Sequence, residues 1–194
     1  MKKRIITIGR EFGSGGRTIG REVARRLGIP CYDQEIIEKM AEESGFTKEY
    51  VANESEEAVR MNWAGTAFSS ETFSFPSNQD RLWAIQHKII SEIGEKESCV
   101  IIGRCADTIL DGKADLLKVF IHADFDKRAE RIVEKYGETE VPTEKRLKEK
   151  DKRRALYYQL YTDKTWGAME NYHIVLNSGV LGIDKCVDII TSLY

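Results

Sequence analysis

The sequence predicts an α/β protein of three layers: a five-stranded parallel sheet flanked by helices on both faces. Three observations predict it. An apolar run, Ile5 to Ile8, leads straight into a glycine-rich turn and then into a helix. Strand-like and helix-like segments alternate along most of the chain, as in sheets covered on both sides. The strand segments are apolar at successive positions, which suits strands buried on both faces.

Each element has its own justification. In the opening unit, Gly9, Gly13, Gly15 and Gly16 supply the positive φ and close backbone approach of a tight turn. After Thr18, the residues Ile19, Val23 and Leu27 recur at helical spacing, and Gly28 and Pro30 end that helix. Ile29 to Tyr32 reads as a short second strand and Gln34 to Glu43 as a helix. Leu82 to Ile93, with Ile85, Ile89 and Ile90 on one face, reads as an amphipathic helix stopped by Gly94. Cys99 to Ile102 and Leu116 to Ile121 are the third and fourth strands. Asp124 is placed to cap a helix running to Tyr136. Tyr172 to Leu176 is the fifth strand, and Ile183 to Leu193 closes the chain. Right-handed crossovers then put ligands outside the carboxyl ends of the strands. The glycine turn, Asp33, Gly103-Arg104 and Asn177 all fall there.

The turn carries the chemistry. A strand, a glycine loop and a helix start in that order aim backbone N–H groups at one spot, which suits phosphate. The nucleotide-binding pattern G-x-x-x-x-G-K-[ST] uses Lys on the β- and γ-phosphates and a hydroxyl on Mg²⁺. Gly13, Ser14, Gly15 and Thr18 fit it, but Gly16 stands at the Lys position and Arg17 follows. A glycine turn that binds nothing is the bland alternative.

Two stretches break the alternation. Residues 61–80 are aromatic, Ser/Thr-rich and aperiodic, which reads as a long loop or loose helical excursion. Its Trp63, Phe68, Phe73 and Phe75 suit stacking on a base as well as packing on the body or a second subunit. Lys135 to Arg154 is mostly charged. It reads either as a solvated helix with pairs such as Glu144 to Lys148, or as an arginine-bearing lid that closes over phosphates.

Composition sets wider bounds. A chain of 194 residues is expected to form a single domain, 1–194, and its net charge of −2 gives no pull toward nucleic acid or anionic membrane. Met-Lys-Lys-Arg leads directly into a strand, which argues against a secretory leader, and no apolar run is long enough to span a bilayer. Cys31, Cys99, Cys105 and Cys186 lack C-x-x-C spacing and are expected to be free thiols in a cytoplasmic protein. The three histidines show no metal or triad spacing.

Arginine placement favours anion binding. Arg104 follows a buried-looking strand, where a bound anion, or a carboxylate partner such as Asp33, would offset its charge. Arg128 and Arg131 share one helix face, as do Asp151 and Arg154.

Gly9 to Thr18, Gly103-Arg104, Leu117 to Ala123 with Arg128 and Arg131, and Asp151 to Arg154 together resemble cytidylate kinases, and more closely the cytidylate kinase-like bacterial branch. The resemblance is weakest over residues 45–98. It implies the nucleoside-monophosphate kinase branch of the P-loop NTPase fold, with a monophosphate-binding insertion (here 45–80) and a lid (135–154). It also implies transfer of the γ-phosphate of ATP to CMP or dCMP. The match departs from the family at three places. Gly16 and Arg17 replace the Lys-Gly of the loop, Cys105 replaces an Asp after Gly103-Arg104, and Leu147-Lys148 replace an Arg-Asp pair. By similarity, Arg128 and Arg131 belong to the lid-side charge clamp, Asp151 to the ribose and Arg154 to the monophosphate.

The resulting expectation is an ATP- and Mg²⁺-dependent phosphotransferase acting on nucleotides. Gly13, Ser14, Gly15, Gly16, Arg17 and Thr18 hold the donor phosphates, with Thr18 on the metal. Asp33, Arg104, Asp151 and Arg154 take the acceptor. Arg17, Arg128, Arg131 and Arg154 supply the catalytic charge, and Arg10 is a further candidate for the missing ammonium. A nucleotide-binding sensor or scaffold without turnover is the alternative, as is a kinase of another small acceptor. Self-association is left open.

Overall fold

A computed structural model describes residues 4–56 and 77–194. Five strands, β1 (Arg4–Arg10), β2 (Cys31–Tyr32), β3 (Cys99–Ile102), β4 (Asp115–His122) and β5 (Ile174–Asn177), form one parallel sheet in the order β2-β3-β1-β4-β5. The helices are α1 (Gly16–Leu27), α2 (Gln34–Ser44), α3 (Lys48–Glu56), α4 (Asn78–Lys96), α5 (Ala106–Ile109), α6 (Phe125–Tyr136), α7 (Thr143–Thr162), α8 (Ser178–Leu181) and α9 (Ile183–Ser192).

Strand β1 sits in the middle, between β3 and β4. Ile5 of β1 lies beside Cys99 and Leu116, and Ile8 beside Ile102 and Val119. Successive strand residues face opposite sides. Ile6, Ile8, Val100, Ile102, Val119 and Ile121 therefore pack on α1 and α9 through Ile19, Val23, Val187 and Ile190. Ile5, Ile101 and Leu116 pack on α2, α4 and α7 through Met40, Ile89, Ile90 and Tyr157. Each fully buried Ile contributes roughly 1.5–3 kcal/mol, so both faces hold the sheet in register.

The sequence expectation of five parallel strands agrees with the sheet, and the differences have local causes. Gly94 does not stop its helix. It lies inside α4, where an added Cβ would sit 2.7 Å from Leu110 Cδ2, so the missing side chain lets α4 approach the core. That helix also starts earlier than Leu82. The Ser77 hydroxyl accepts from the Asp80 backbone N–H and the Asp80 carboxylate accepts from the Ser77 N–H, a capping box written in the sequence as S-x-x-D. Part of the expected 45–80 insertion is therefore helical, in α3 and the start of α4. Trp63, Phe68, Phe73 and Phe75 lie outside the described residues. Asp124 stands at the N-cap of α6 but makes no side-chain capping bond. The fifth strand begins at Ile174, because Met169–Asn171 form a 3₁₀ turn that Tyr172 leaves. Asn177 caps α8, accepting from the Gly179 and Val180 N–H groups.

The four cysteines are free, with Cys31 half-buried and the others buried. Burial pushes the Cys99 thiol up to about 12 and Cys31 up to about 11. Among the described residues no helix is long and apolar enough to cross a membrane.

Candidate functional site

The turn between β1 and α1 opens at the carboxyl end of the sheet. Gly13 and Gly15 have φ of +82° and +80°, and a Cβ would lie 2.8 Å from the Arg128 carbonyl oxygen at Gly13 and 2.5 Å from Ile183 Cδ1 at Gly15. Both positions therefore need glycine for backbone and for space. The Ser14 hydroxyl donates to the Glu11 carbonyl at 2.9 Å, and the Ser178 hydroxyl donates to the Ser14 carbonyl at 2.6 Å. Ser14 thus ties the turn down with its side chain and offers a ligand only its backbone.

Helix α1 begins at Gly16 without a side-chain cap. Gly13, Gly15, Gly16, Arg17 and Thr18 line a cavity of about 330 Å³, completed by Arg10, Arg131, Lys135, Arg146, Lys150 and Arg154. Glu11 is the carboxylate among its lining residues. Such a wall attracts a polyanion.

Expected partners meet one another here in unexpected ways. Arg17 forks onto Asp33, with Nε 2.6 Å from one carboxylate oxygen and Nη2 3.2 Å from the other, and Arg21 joins at 3.4 Å. The donor-side and acceptor-side candidates are thus an ion pair. Asp33 stands at the N-cap of α2 but makes no side-chain capping bond there.

Arg128 is buried and held between Asp151 at 2.5 Å and Glu11 at 3.3 Å, and it donates to the Phe12 carbonyl at 3.2 Å. Asp151 also accepts from the Phe12 N–H at 2.7 Å. These two side chains clamp α6 and α7 to the turn and do not line the cavity.

Arg131 and Arg154 do reach the cavity. Arg131 donates to the Thr18 hydroxyl at 3.1 Å, and Lys135 does so at 3.4 Å. Arg154 donates to the Arg10 carbonyl at 3.0 Å and stacks over the Phe12 ring. Lys148 lies over the Phe125 ring at 5.6 Å, while α7 carries the pair Lys145–Glu149.

A second recess adjoins the first at the end of β3. Gly103, Arg104 and Cys105 turn with φ of 71°, 61° and 54°, so two non-glycine residues occupy the left-handed region. Such conformations persist where surrounding structure enforces them, and they cluster at ligand sites. Arg104 is 5% exposed, and Gln86, wholly buried, donates to its carbonyl at 3.0 Å. Arg10, Arg104 and Arg154 frame the recess together with Asp107, Tyr157, Tyr158 and Trp166. Its volume of about 40 Å³ suits an anionic head group rather than a whole nucleotide.

Burial pushes the Asp107 carboxyl above its ordinary value, against the hydrogen bond that Tyr158 donates at 2.7 Å. The folded state then holds this proton more tightly than the unfolded chain. The stabilising contribution is full below the ordinary carboxylate value and fades as pH rises through the folded one. Asp107→Asn is expected to flatten the fall in urea midpoint as pH rises above the ordinary carboxylate value. An unchanged slope would assign the fall to another group.

The sequence reading did not single out Lys135, Arg146 and Lys150. Their signal was the spacing: Arg131 and Lys135, and Arg146, Lys150 and Arg154, repeat at i,i+4 on one face of α6 and of α7. Gln86 and Asp107 carried no comparable signal, since only the packing of α4 and α5 brings them to the recess.

The model of the cytidylate kinase-like family matches residues 5–180. The chain belongs to that family. A search of curated proteins finds no match. Among solved structures, the cytidylate kinase-like chain is similar to an uncharacterized protein from Eubacterium ventriosum, 27% identical over 98% of both chains with a TM-score of 0.73. It also resembles the shikimate kinase of Bacteroides thetaiotaomicron, at 18% identity over 100% of this chain and 98% of that one, TM-score 0.56. A gluconokinase from Sinorhizobium meliloti is 16% identical over 97% and 91%, TM-score 0.55. At such identities the two kinases share the fold with this cytidylate kinase-like protein, which is that of P-loop kinases.

Proposed function

We propose that the protein transfers the γ-phosphate of ATP to a nucleoside monophosphate of the CMP or dCMP kind. One observation carries this reading: the recess beside the glycine turn is framed by Arg10, Arg104 and Arg154, while the nearby carboxylates are already engaged. Asp33 is held by Arg17 and Arg21, Asp151 by Arg128, and Asp107 by Tyr158. An alcohol acceptor calls for a base to take its proton. A monophosphate oxygen is already ionised and calls instead for cations.

In the step itself, an acceptor phosphate oxygen forms a bond to Pγ as the bond from Pγ to the β,γ-bridging oxygen breaks. ADP leaves with that electron pair. The turn would hold the donor phosphates on backbone N–H groups, Arg131 and Lys135 would meet their oxygens, and Arg104 and Arg154 would grip the acceptor. Arg146 and Lys150 would close from α7 as the lid, while residues 45–80 would form the acceptor insertion.

Thr18 would be the protein's ligand to Mg²⁺, which neutralises charge between the β- and γ-phosphates. Arg131 and Lys135 lie within 3.4 Å of its hydroxyl, so the ion would fit there only together with phosphates that offset those two charges.

Incubation with ATP, Mg²⁺ and a panel of CMP, dCMP, UMP and AMP, with shikimate and gluconate alongside, tests the proposal by chromatography of products. Diphosphate products are expected, and none from the two alcohols. Tight ATP binding without any product would favour the sensor reading, to which the absent ammonium at Gly16 lends its support. Turnover of an alcohol alone would replace the acceptor.

A further inference from the structure

The nucleotide-binding loop pattern places a lysine at the start of the helix after the turn, its ammonium on the β- and γ-phosphates. Gly16 stands there in this chain. We propose that Arg10 supplies the missing cation from the last residue of β1, as a catalytic residue touching the transferred phosphate. This inference rests on the phosphotransfer reading above.

The first observation is that Arg10 fills the space a side chain at position 16 would need. A Cβ built on Gly16 would lie 2.5 Å from Arg10 Cβ and 3.1 Å from its Cγ. Cβ atoms do not approach so closely, so a side chain at position 10 requires glycine at position 16. The same side chain continues to the end of β3, where Arg10 Nη1 occupies the position of the absent Gly103 Cβ. Two glycines on two different elements thus leave a channel, and one guanidinium runs through it.

The second observation is where that channel goes. Arg10 lines both the cavity of the glycine turn and the recess of Arg104. A phosphoryl group passing from a donor in the first to an acceptor in the second must pass this side chain. Arg154 also borders both spaces, with its guanidinium on the Arg10 carbonyl and over the Phe12 ring.

The third observation is burial. Arg10 is 6% exposed, so a phosphate meeting it is held where water screens charge poorly. A guanidinium also offers a planar fork to two phosphate oxygens, where an ammonium offers a point charge. In the transfer Arg10 is neither consumed nor deprotonated. It offsets charge on the equatorial oxygens while the bond to the bridging oxygen breaks and the bond to the acceptor forms.

The test uses the full chain and four variants: Arg10→Ala, Arg10→Gln, Gly16→Lys and the double variant Arg10→Gly with Gly16→Lys. Calorimetry with ATP, ADP and AMP in Mg²⁺ reads phosphate discrimination, product formation from ATP and CMP reads kcat, and circular dichroism reads folding. Arg10→Ala is expected to lose at least about tenfold of the preference for ATP over AMP and on the order of a hundredfold in kcat. AMP affinity should stay within about threefold, since AMP has no terminal phosphates to lose contact with. Gly16→Lys alone should weaken ATP binding through its clash with Arg10. The double variant should regain part of the lost preference, because it returns a cation to the loop and glycine at 10 removes the Cβ and Cγ that a side chain at 16 would meet.

Arg10→Ala that folds and keeps its ATP preference would overturn the proposal, as would a folded double variant no better than Arg10→Ala. If Arg10→Ala does not fold, Arg10→Gln decides. It keeps a polar side chain without the charge, so kcat should fall at least about tenfold, and an unchanged kcat would overturn the role. Wild-type protein that makes no product would defeat the kinase reading, yet its discrimination of ATP from AMP would still report on Arg10.

Discussion

Arg104→Ala is expected to weaken CMP binding about a hundredfold while leaving ATP binding within about threefold, because truncating one member of a buried, hydrogen-bonded charge pair costs about 2–5 kcal/mol. The guanidinium is buried beside the recess and does not line the larger cavity, so the loss should fall on the acceptor alone. Arg104→Gly separates chemistry from conformation. Its φ of 61° is strained for any side chain, and glycine relieves that strain at the same position. Arg104→Gly should therefore bind CMP as poorly as Arg104→Ala yet be more stable by about 1 kcal/mol. Titration calorimetry and urea midpoints measure both effects. ATP weakened more than CMP would move Arg104 to the donor side.

The second large effect concerns stability. Arg128→Ala leaves the carboxylates of Glu11 and Asp151 facing each other across a vacated site, at exposures of 25% and 18%. Removing one side of a buried ion-pair network is expected to cost about 3 kcal/mol, the low end for such changes because both carboxylates keep some water. Residual Asp151 contact with the Phe12 N–H should hold the turn in place less firmly. Arg128→Lys should recover part of the loss, since a lysine cannot reach both carboxylates and the Phe12 carbonyl as a fork does. If Arg128→Ala kept its urea midpoint and lost ATP binding instead, Arg128 would be a phosphate ligand, as its spacing from Arg131 suggested.

These residues show why the fold was more legible than the site. Hydrophobic runs such as Ile5 to Ile8 and Cys99 to Ile102 announce buried strands because each face must be apolar, and spacing along the chain suffices to read them. The capping box at Ser77 and Asp80 was equally local. Charge partners are not local. Arg17 finds Asp33 across the α1–β2 connection, and Arg128 finds Asp151 on α7, pairings that only the packed helices define. A run of arginines near a glycine turn therefore signals anion binding, but only tertiary structure decides which of them line the cavity. Gly16 shows the opposite case. Read along the chain it was a missing lysine; in space it is the room that Arg10 occupies.

The central claim is that the glycine-turn cavity and the Arg104 recess form one continuous site for donor and acceptor phosphates. The most direct measurement is binding of a compound joining adenosine to cytidine through five phosphates. One molecule per chain should bind about a hundredfold more tightly than ATP and displace both ATP and CMP, because linking two occupants makes the second binding event intramolecular. Affinity no better than that of ATP, with CMP still able to bind, would contradict the account.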